Sequence, residues 1–187
     1  KLSSFLYQFN HDISEIDQVI ANSNFTKQAF KEVYKCDSNQ ISVNYPPVDI
    51  PDSLSHPEKK PVVLSLGRFS PKKRQFEQLK IASELPDKDF IFIGFISDDK
   101  YYEKLQKTKA RNKLTNVTLL PNAKYETVQR HLAESAYFLH SMINEPFGIT
   151  TVQAITNGCI PVVPNSGGQK EIVNNDKLRY DTLEEAT

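Results

Sequence analysis

Beyond residue 60 the chain alternates short apolar runs with longer stretches in which apolar residues recur every three or four positions. Val62-Val-Leu-Ser-Leu66, Phe90-Ile-Phe-Ile93 and Ile160-Pro-Val-Val163 are nearly continuous apolar runs, the pattern of strands covered on both faces. With weaker runs they predict six strands, over 61–69, 89–95, 116–120, 137–142, 160–164 and 178–180. Phe76, Leu79, Ala82 and Leu85 fall at three-residue steps. Helices are predicted over 75–85, 98–112, 125–135, 149–157 and 169–174. Glycine or proline punctuates the junctions at Gly67, Pro86, Gly94, Pro121, Gly158 and Pro161. Strands that alternate with helices imply beta-alpha-beta units, hence an α/β, doubly wound parallel sheet of about six strands.

Before residue 61 the character changes. Residues 17–22 read as a short strand, Ser23 as the N-cap of a helix through Tyr34, and 41–45 as another strand. The proline-rich stretch 46–60 has few apolar residues and reads as a linker. These shifts divide the chain into 1–45, the remnant of another domain; 46–60, a linker; and 61–187, the core domain. The chain begins at Lys1 without an initiator Met and stops inside Thr182-Leu-Glu-Glu-Ala-Thr187, which looks like the first turn of a helix. Both ends read as cut from a longer chain.

Composition removes several function classes. A length of 187 residues suits one domain with appendages. Twenty-three basic residues balance twenty-three acidic ones, so no global field attracts nucleic acid or an anionic membrane, and any anion site must be local. Cys36 and Cys159 stand far apart without metal-ligand spacing, which suits reduced thiols in a cytosolic protein and predicts neither disulfide nor zinc. The longest apolar run, 90–96, is strand-sized and far short of the roughly 20 residues that cross a bilayer. His11, His56, His131 and His140 share no metal spacing. The glycines do not spell the dinucleotide fingerprint, which disfavours a nicotinamide dehydrogenase.

Three runs carry candidate chemistry. Gly67-Arg-Phe-Ser-Pro-Lys-Lys-Arg74 sits at the carboxyl end of the first core strand, where open parallel sheets place their ligand crevice. Arg68, Lys72, Lys73 and Arg74 concentrate positive charge there, and a diphosphate needs such partners because its own charges are costly to desolvate unpaired. A solvated basic turn is the plain alternative. Asn144-Glu-Pro-Phe-Gly-Ile-Thr-Thr-Val-Gln153 follows the fourth core strand. Gly148 allows a turn without a side chain, after which Ile149, Thr150 and Thr151 open a helix whose first amides and dipole favour a phosphate. Gln153 lies about one turn further in, within reach of ligand hydroxyls. Glu145 stands just ahead of that anion site, where a phosphate would repel it; a role towards sugar hydroxyls or developing positive charge suits it better. Its alternative is a helix cap, with Pro146 and Phe147 packing the turn. Pro164-Asn-Ser-Gly-Gly-Gln-Lys-Glu-Ile172 is a double-glycine turn that lets amides approach an oxyanion, although such turns are common in ordinary strand-to-helix loops. His140 closes an apolar strand just before Glu145 and either faces the crevice or is a hydrogen-bonded core histidine. All three runs fall on strand-to-helix junctions, hence on one edge of the predicted sheet.

Together these runs resemble family 4 of the retaining glycosyltransferases, whose C-terminal domain is a Rossmann-like half of a GT-B fold that binds a nucleotide sugar. Gly67-Arg68 followed by Lys73 resembles the family's pair on the donor diphosphate. Glu145-Pro-Phe-Gly-Ile149 resembles its Glu-x-Phe-Gly motif, and Asn165-Ser-Gly-Gly168 with Glu171-Ile-Val173 resembles the run that closes the donor-binding half. The likeness covers 61–173 and extends weakly back to Asp17, where Val19-Ile-Ala-Asn-Ser23 and Tyr45-Pro-Pro-Val-Asp49 look like the last N-domain elements and the hinge. His140-Ser-Met-Ile-Asn-Glu145 is further similar to alpha-1,2-mannosyltransferases that extend lipid-linked oligosaccharides from GDP-mannose.

The resemblance implies transfer of a hexose, with retention and without a metal or other cofactor, from a nucleotide-diphosphate sugar to a hydroxyl acceptor on a glycan or glycolipid. GDP-mannose is the first expected donor and a UDP-hexose the second. Glu145 is then the catalytic residue; Arg68, Lys73, Gly148, Ile149 and Thr150 hold the diphosphate; and Gln153 meets the ribose. Asn122 and Ala123 flank the base, while Gly67, Gly94, His140 and Phe147 line the crevice. One departure stands out: where the family has a second Glu eight residues after the first, this chain has Gln153, an amide without a charge-assisted bond. Expected partners are the donor, the acceptor and an N-terminal domain of the same enzyme, with no nucleic acid. The expected location is the cytoplasm, or the cytoplasmic face of a membrane through that domain. Alone, the chain is expected to bind nucleotide weakly and to transfer negligibly. A non-catalytic nucleotide-sugar-binding module, in which Gln153 marks lost activity, is the alternative.

Overall fold

Six parallel strands, in the order Val117–Pro121, Asp89–Gly94, Lys60–Leu66, Ser135–Leu139, Ile160–Pro164 and Arg179–Tyr180, form the main sheet of a computed structural model that describes residues 16–50 and 57–187. His11, His56, the chain start and residues 51–56 of the predicted linker lie outside the described residues. The strands are β3 (Lys60–Leu66), β4 (Asp89–Gly94), β5 (Val117–Pro121), β6 (Ser135–Leu139), β7 (Ile160–Pro164) and β8 (Arg179–Tyr180). Between them run α2 (Gln75–Glu84), α3 (Asp99–Arg111), α4 (Tyr125–Glu134), α5 (Ile149–Thr156) and the short α6 (Gln169–Ile172). Every predicted core strand and helix is present, with ends moved by a few residues.

The apolar runs work as two-faced strands. One core holds Phe69, Phe90, Phe92 and Leu139 against α2 and α3 residues such as Leu79, Ala82, Tyr102 and Leu105. The other holds Leu64, Leu66, Ile93 and Phe138 against Leu132 of α4 and Ala154 of α5. Neighbouring positions on a strand therefore serve opposite faces, as in Phe92 and Ile93 or Phe138 and Leu139. Each such buried side chain contributes about 1.5–3 kcal/mol. The strand order reverses between β3 and β6, so β3 leads to α2 on one face and β6 to α5 on the other, and a crevice opens outside their carboxyl ends.

Two strand ends differ from expectation. β6 begins at Ser135, paired with Lys60, and stops at Leu139 rather than 142. After it, His140 N–H still bonds the Val162 carbonyl at 3.0 Å, but Ser141 leaves the ladder to donate its hydroxyl to the Lys73 carbonyl at 2.6 Å. β3 is assigned only to Leu66, yet its pairing resumes at a Phe69–Ile96 bridge. The predicted C-terminal helix start is a 3-10 turn at Glu184–Ala186.

The N-terminal segment is a small unit of its own: β1 (Val19–Ala21) pairs in parallel with β2 (Ile41–Val43), and α1 (Asn24–Tyr34) crosses between them. Ser23 caps α1, accepting from the Thr26 amide at 2.9 Å, as its residue type predicted.

Candidate functional site

The loops that follow β3 and β6 meet at the point where the strand order reverses. After β3, Pro71 opens the 3-10 turn Pro71–Lys73, and Arg74 ends it in the left-handed region at φ 56°. That turn faces Lys73 inward while Lys72 stays exposed. After β6, the chain runs through Glu145 to Gly148, which N-caps α5 at φ 114°. Thr151 N–H bonds the Gly148 carbonyl at 2.9 Å, so the amides of Ile149 and Thr150 precede the first intrahelical bond and carry the positive end of the helix dipole.

A hollow of about 250 Å³ gathers Lys73, Glu145, Phe147, Gly148, Ile149 and Thr150, and the N-terminal segment adds Asn22 and Pro46. Lys73 Nζ lies 2.5 Å from Glu145 Oε2, with side chains only 20% and 14% exposed. His140, 3% exposed, brings Nε2 to 3.2 Å from the same oxygen, without the alignment of an N–H donation. Burial by itself pushes the Glu145 carboxyl up; His140 and the Lys73 ammonium outweigh it and hold the group at about 2. Burial also lowers His140, against the pull of Glu145 and with the help of Lys73. The imidazole is therefore neutral near pH 7, and Lys73 supplies the positive charge opposite Glu145.

Other expected residues are placed differently. Arg68 sits on the same sheet edge but is exposed and does not line the hollow; its carbonyl accepts from Gln75 Nε2 at 2.9 Å. Gly67 lies against the stem of Lys73, whose Cδ would be 3.5 Å from an added Cβ. Gly94 lies underneath: a Cβ there would stand 1.9 Å from the Gly67 carbonyl oxygen, so it lets two strand ends approach. Asn122 spends its N–H on the Gly94 carbonyl at 2.9 Å and its Oδ1 on the Ile96 amide at 3.2 Å, and Ala123 packs on the second core. Gln153 is half-buried on α5, outside the residues that line the hollow.

The double glycine departs from expectation. A Cβ on Gly167 would fall 2.5 Å from Glu145 O, and one on Gly168 2.5 Å from Pro146 O. Gly168 N–H donates to the Glu145 carbonyl at 2.8 Å. This turn lets in the backbone of the 145–147 loop, so the Gly168 amide is committed there rather than to an oxyanion.

Sequence reasoning missed the role of Glu171. Its Oε1 accepts from Phe25 N–H at 2.7 Å and its Oε2 from Asn24 N–H and the Tyr45 hydroxyl, both at 2.9 Å. Ser23 Oγ adds a bond to the Pro146 carbonyl at 2.5 Å, and the Tyr45 and Phe147 rings lie 5.6 Å apart. The start of α1 is thereby docked on the Glu145 loop. Burial would raise the Glu171 carboxyl, but the amides of α1 and the Tyr45 hydroxyl hold it low. A partner almost 150 positions away leaves no local pattern; only the Ser23 cap was readable.

Among the described residues no group of three or more His, Cys, Asp or Glu side chains is arranged to hold a metal ion. No helix among them is long and apolar enough to cross a membrane. An apolar hollow of about 270 Å³ on the α2 face is lined by Val63, Ile81, Phe90, Leu139 and Val162, and among the described residues Lys88 is its one charged side chain.

The family model for glycosyl transferases, group 1, matches residues 49–182. The chain belongs to that family. A Xenopus laevis protein named GDP-Man:Man(3)GlcNAc(2)-PP-Dol alpha-1,2-mannosyltransferase is 30% identical over 174 residues, covering 82% of this chain and 35% of its own length. The chain thus spans about a third of the length of the curated relatives it matches. Among solved structures, a glycosyltransferase from Rickettsia africae is similar with a TM-score of 0.78 at 22% identity, over 97% of this chain and 54% of its own. Anabaena HepE in complex with UDP and glucose is similar at 0.71 and 25% identity, over 85% of this chain and 47% of its own. The α/β Rossmann-like sheet of this group 1 member is shared with those neighbours.

Proposed function

We propose that this chain is the donor-binding part of a retaining hexosyltransferase that takes GDP-mannose, with a UDP-hexose as second choice, and passes the sugar to a hydroxyl acceptor. The observation that carries the reading is the meeting of Lys73, Glu145 and the start of α5 in one hollow. The names of the mannosyltransferase relatives support mannose and guanine, and the UDP bound to HepE supports a nucleoside diphosphate as the recognised group.

In this reading the diphosphate lies at the start of α5. The amides of Ile149 and Thr150 and the Lys73 ammonium neutralise the charge that grows on it as the glycosidic bond breaks, and Arg68 supplies further positive charge from the same edge. In this structure Lys73 engages Oε2 of Glu145, and Oε1 is the oxygen that orients sugar hydroxyls and faces the positive charge that develops at the anomeric carbon. The acceptor, a glycan or glycolipid, approaches from the side that an N-terminal domain would close. Asn22 and Pro46, in the wall of the hollow, make the N-terminal segment part of that boundary.

A thermal-shift screen of the intact protein against GDP, UDP and ADP tests the base, because a ligand that binds only the folded state raises its apparent stability. GDP is expected to give the largest shift, and nucleotide release from GDP-mannose should then require an acceptor. No shift with any of the three would end the reading. A shift without release on any hydroxyl acceptor would favour a binding module.

A further inference from the structure

His140 is a buried titratable group with no hydrogen-bond partner on either ring nitrogen among the described residues. Its backbone is held in place: the main-chain N–H bonds the Val162 carbonyl at 3.0 Å, and the main-chain carbonyl accepts the buried Tyr180 hydroxyl at 2.7 Å. The uncharged Phe138 ring lies 6.5 Å from its ring. The charged groups that face it are the Glu145 carboxylate and the Lys73 ammonium, which share Oε2. An imidazole 3.2 Å from a carboxylate, in electrostatic contact with it but not aligned to donate to it, is a partner held in reserve.

We infer, resting on the reading of this hollow as a nucleoside-diphosphate site, that His140 is a positioning residue that takes over Glu145 Oε2 when Lys73 turns to the diphosphate, so that donor binding draws a proton into the His140–Glu145 pair. The balance is simple. Lys73 cannot neutralise both the carboxylate and the phosphates, and bringing a further anion beside an uncompensated buried carboxylate is costly. One proton taken from the buffer turns the neutral imidazole into an imidazolium, which donates its Nε2–H to Oε2. No bond other than N–H forms, and Glu145 keeps its charge and orientation. Without the diphosphate, burial and the Lys73 ammonium keep His140 neutral; moving that ammonium onto a phosphate removes one of the two opposing causes.

The test is isothermal titration calorimetry of GDP-mannose into the intact protein at pH 7, in PIPES, HEPES and Tris, whose ionisation enthalpies differ. GDP-mannose is the probe because its diphosphate diester does not itself titrate near neutrality. The expected slope corresponds to uptake of a large fraction of a proton, up to one per donor bound, with affinity rising towards pH 6. His140→Gln and His140→Asn should abolish the uptake and flatten the pH profile, which loss of packing alone would not do. Binding with no dependence on buffer in the unsubstituted protein overturns the inference, as does uptake that persists in both variants. Should neither GDP-mannose nor UDP-glucose bind, the reading of the site falls and the inference with it.

Discussion

Glu145 and Glu171 are two carboxylates sunk into the same edge of the molecule, and both stay ionised against the cost of burial, but by different means. Glu145 is held by side chains: the Lys73 ammonium and the His140 imidazole, each on a loop that borders the hollow. Glu171 is held mainly by main chain, the amides of Asn24 and Phe25 at the start of α1. Side-chain charges can be shared with an incoming anion and returned, whereas helix amides move only with their helix. The first arrangement suits a group that takes part in a reaction. The second suits a group that fixes one segment on another.

The largest effect should come from breaking the first arrangement. Glu145→Gln keeps the shape and removes the charge, so transfer by the intact enzyme should fall about 10²–10³-fold, while GDP affinity stays within about tenfold. Steady-state kinetics beside calorimetry would separate the two quantities. Activity within a factor of ten of the unsubstituted enzyme would remove Glu145 from the reaction.

Acid stability sharpens the comparison next. Unfolded glutamates bind protons below about pH 4.5, whereas folded Glu145 does so only near 2. Its contribution is therefore present above about pH 4.5 and lost as the pH falls towards 2. Glu171 is shifted in the same direction. Chemical unfolding between pH 5 and 2.5 should show stability falling with pH, and Glu145→Gln should flatten that slope more than Glu171→Gln. Equal slopes in all three proteins would mean that neither carboxylate is held as described.

Residues made these two regions unequally legible. The continuous apolar runs of β3, β4 and β7 announced buried parallel strands because both faces of each are covered, and the Ser23 cap was readable because its partner, Thr26, is three residues away. The apolar pattern starts β6 two residues late because Ser135 and Ala136 carry little apolar signal, while pairing of Ser135 with Lys60 draws them into the sheet. Of the four cations after β3, only Lys73 reaches Glu145, a choice made by the Pro71–Lys73 turn and invisible in charge alone. Gly167 and Gly168 misled for a related reason. A glycine that admits a ligand and one that admits another loop have the same sequence, and here the neighbour is the backbone of Glu145 and Pro146.

A smaller effect is expected at the second carboxylate. Glu171→Gln retains one acceptor oxygen but loses the charge at the start of α1, and should cost about 1–2 kcal/mol, the range for a lost helix cap. Denaturant unfolding would measure it, with donor affinity unchanged. A loss of GDP binding as large as that caused by substituting Lys73 would show that α1 docking and the donor site form one unit, and would erase the distinction between the two carboxylates.

The smallest effect should be at Gln153, on the same helix that opens at Gly148. Its amide can accept and donate a hydrogen bond to a ribose diol, but a carboxylate accepts with roughly twice the strength when the donor is a hydroxyl. Gln153→Glu lies beyond the first turn of α5, where a negative charge no longer competes strongly with the diphosphate for the helix dipole. GDP affinity should therefore stay the same or tighten by less than about tenfold, equivalent to about 1.4 kcal/mol. Calorimetry at fixed ionic strength would measure this, and the change should vanish with a 2′,3′-dideoxy nucleotide. Complete loss of binding on this exchange would mean that Gln153 faces phosphate rather than ribose, and would reverse the direction in which the nucleotide is laid along the hollow.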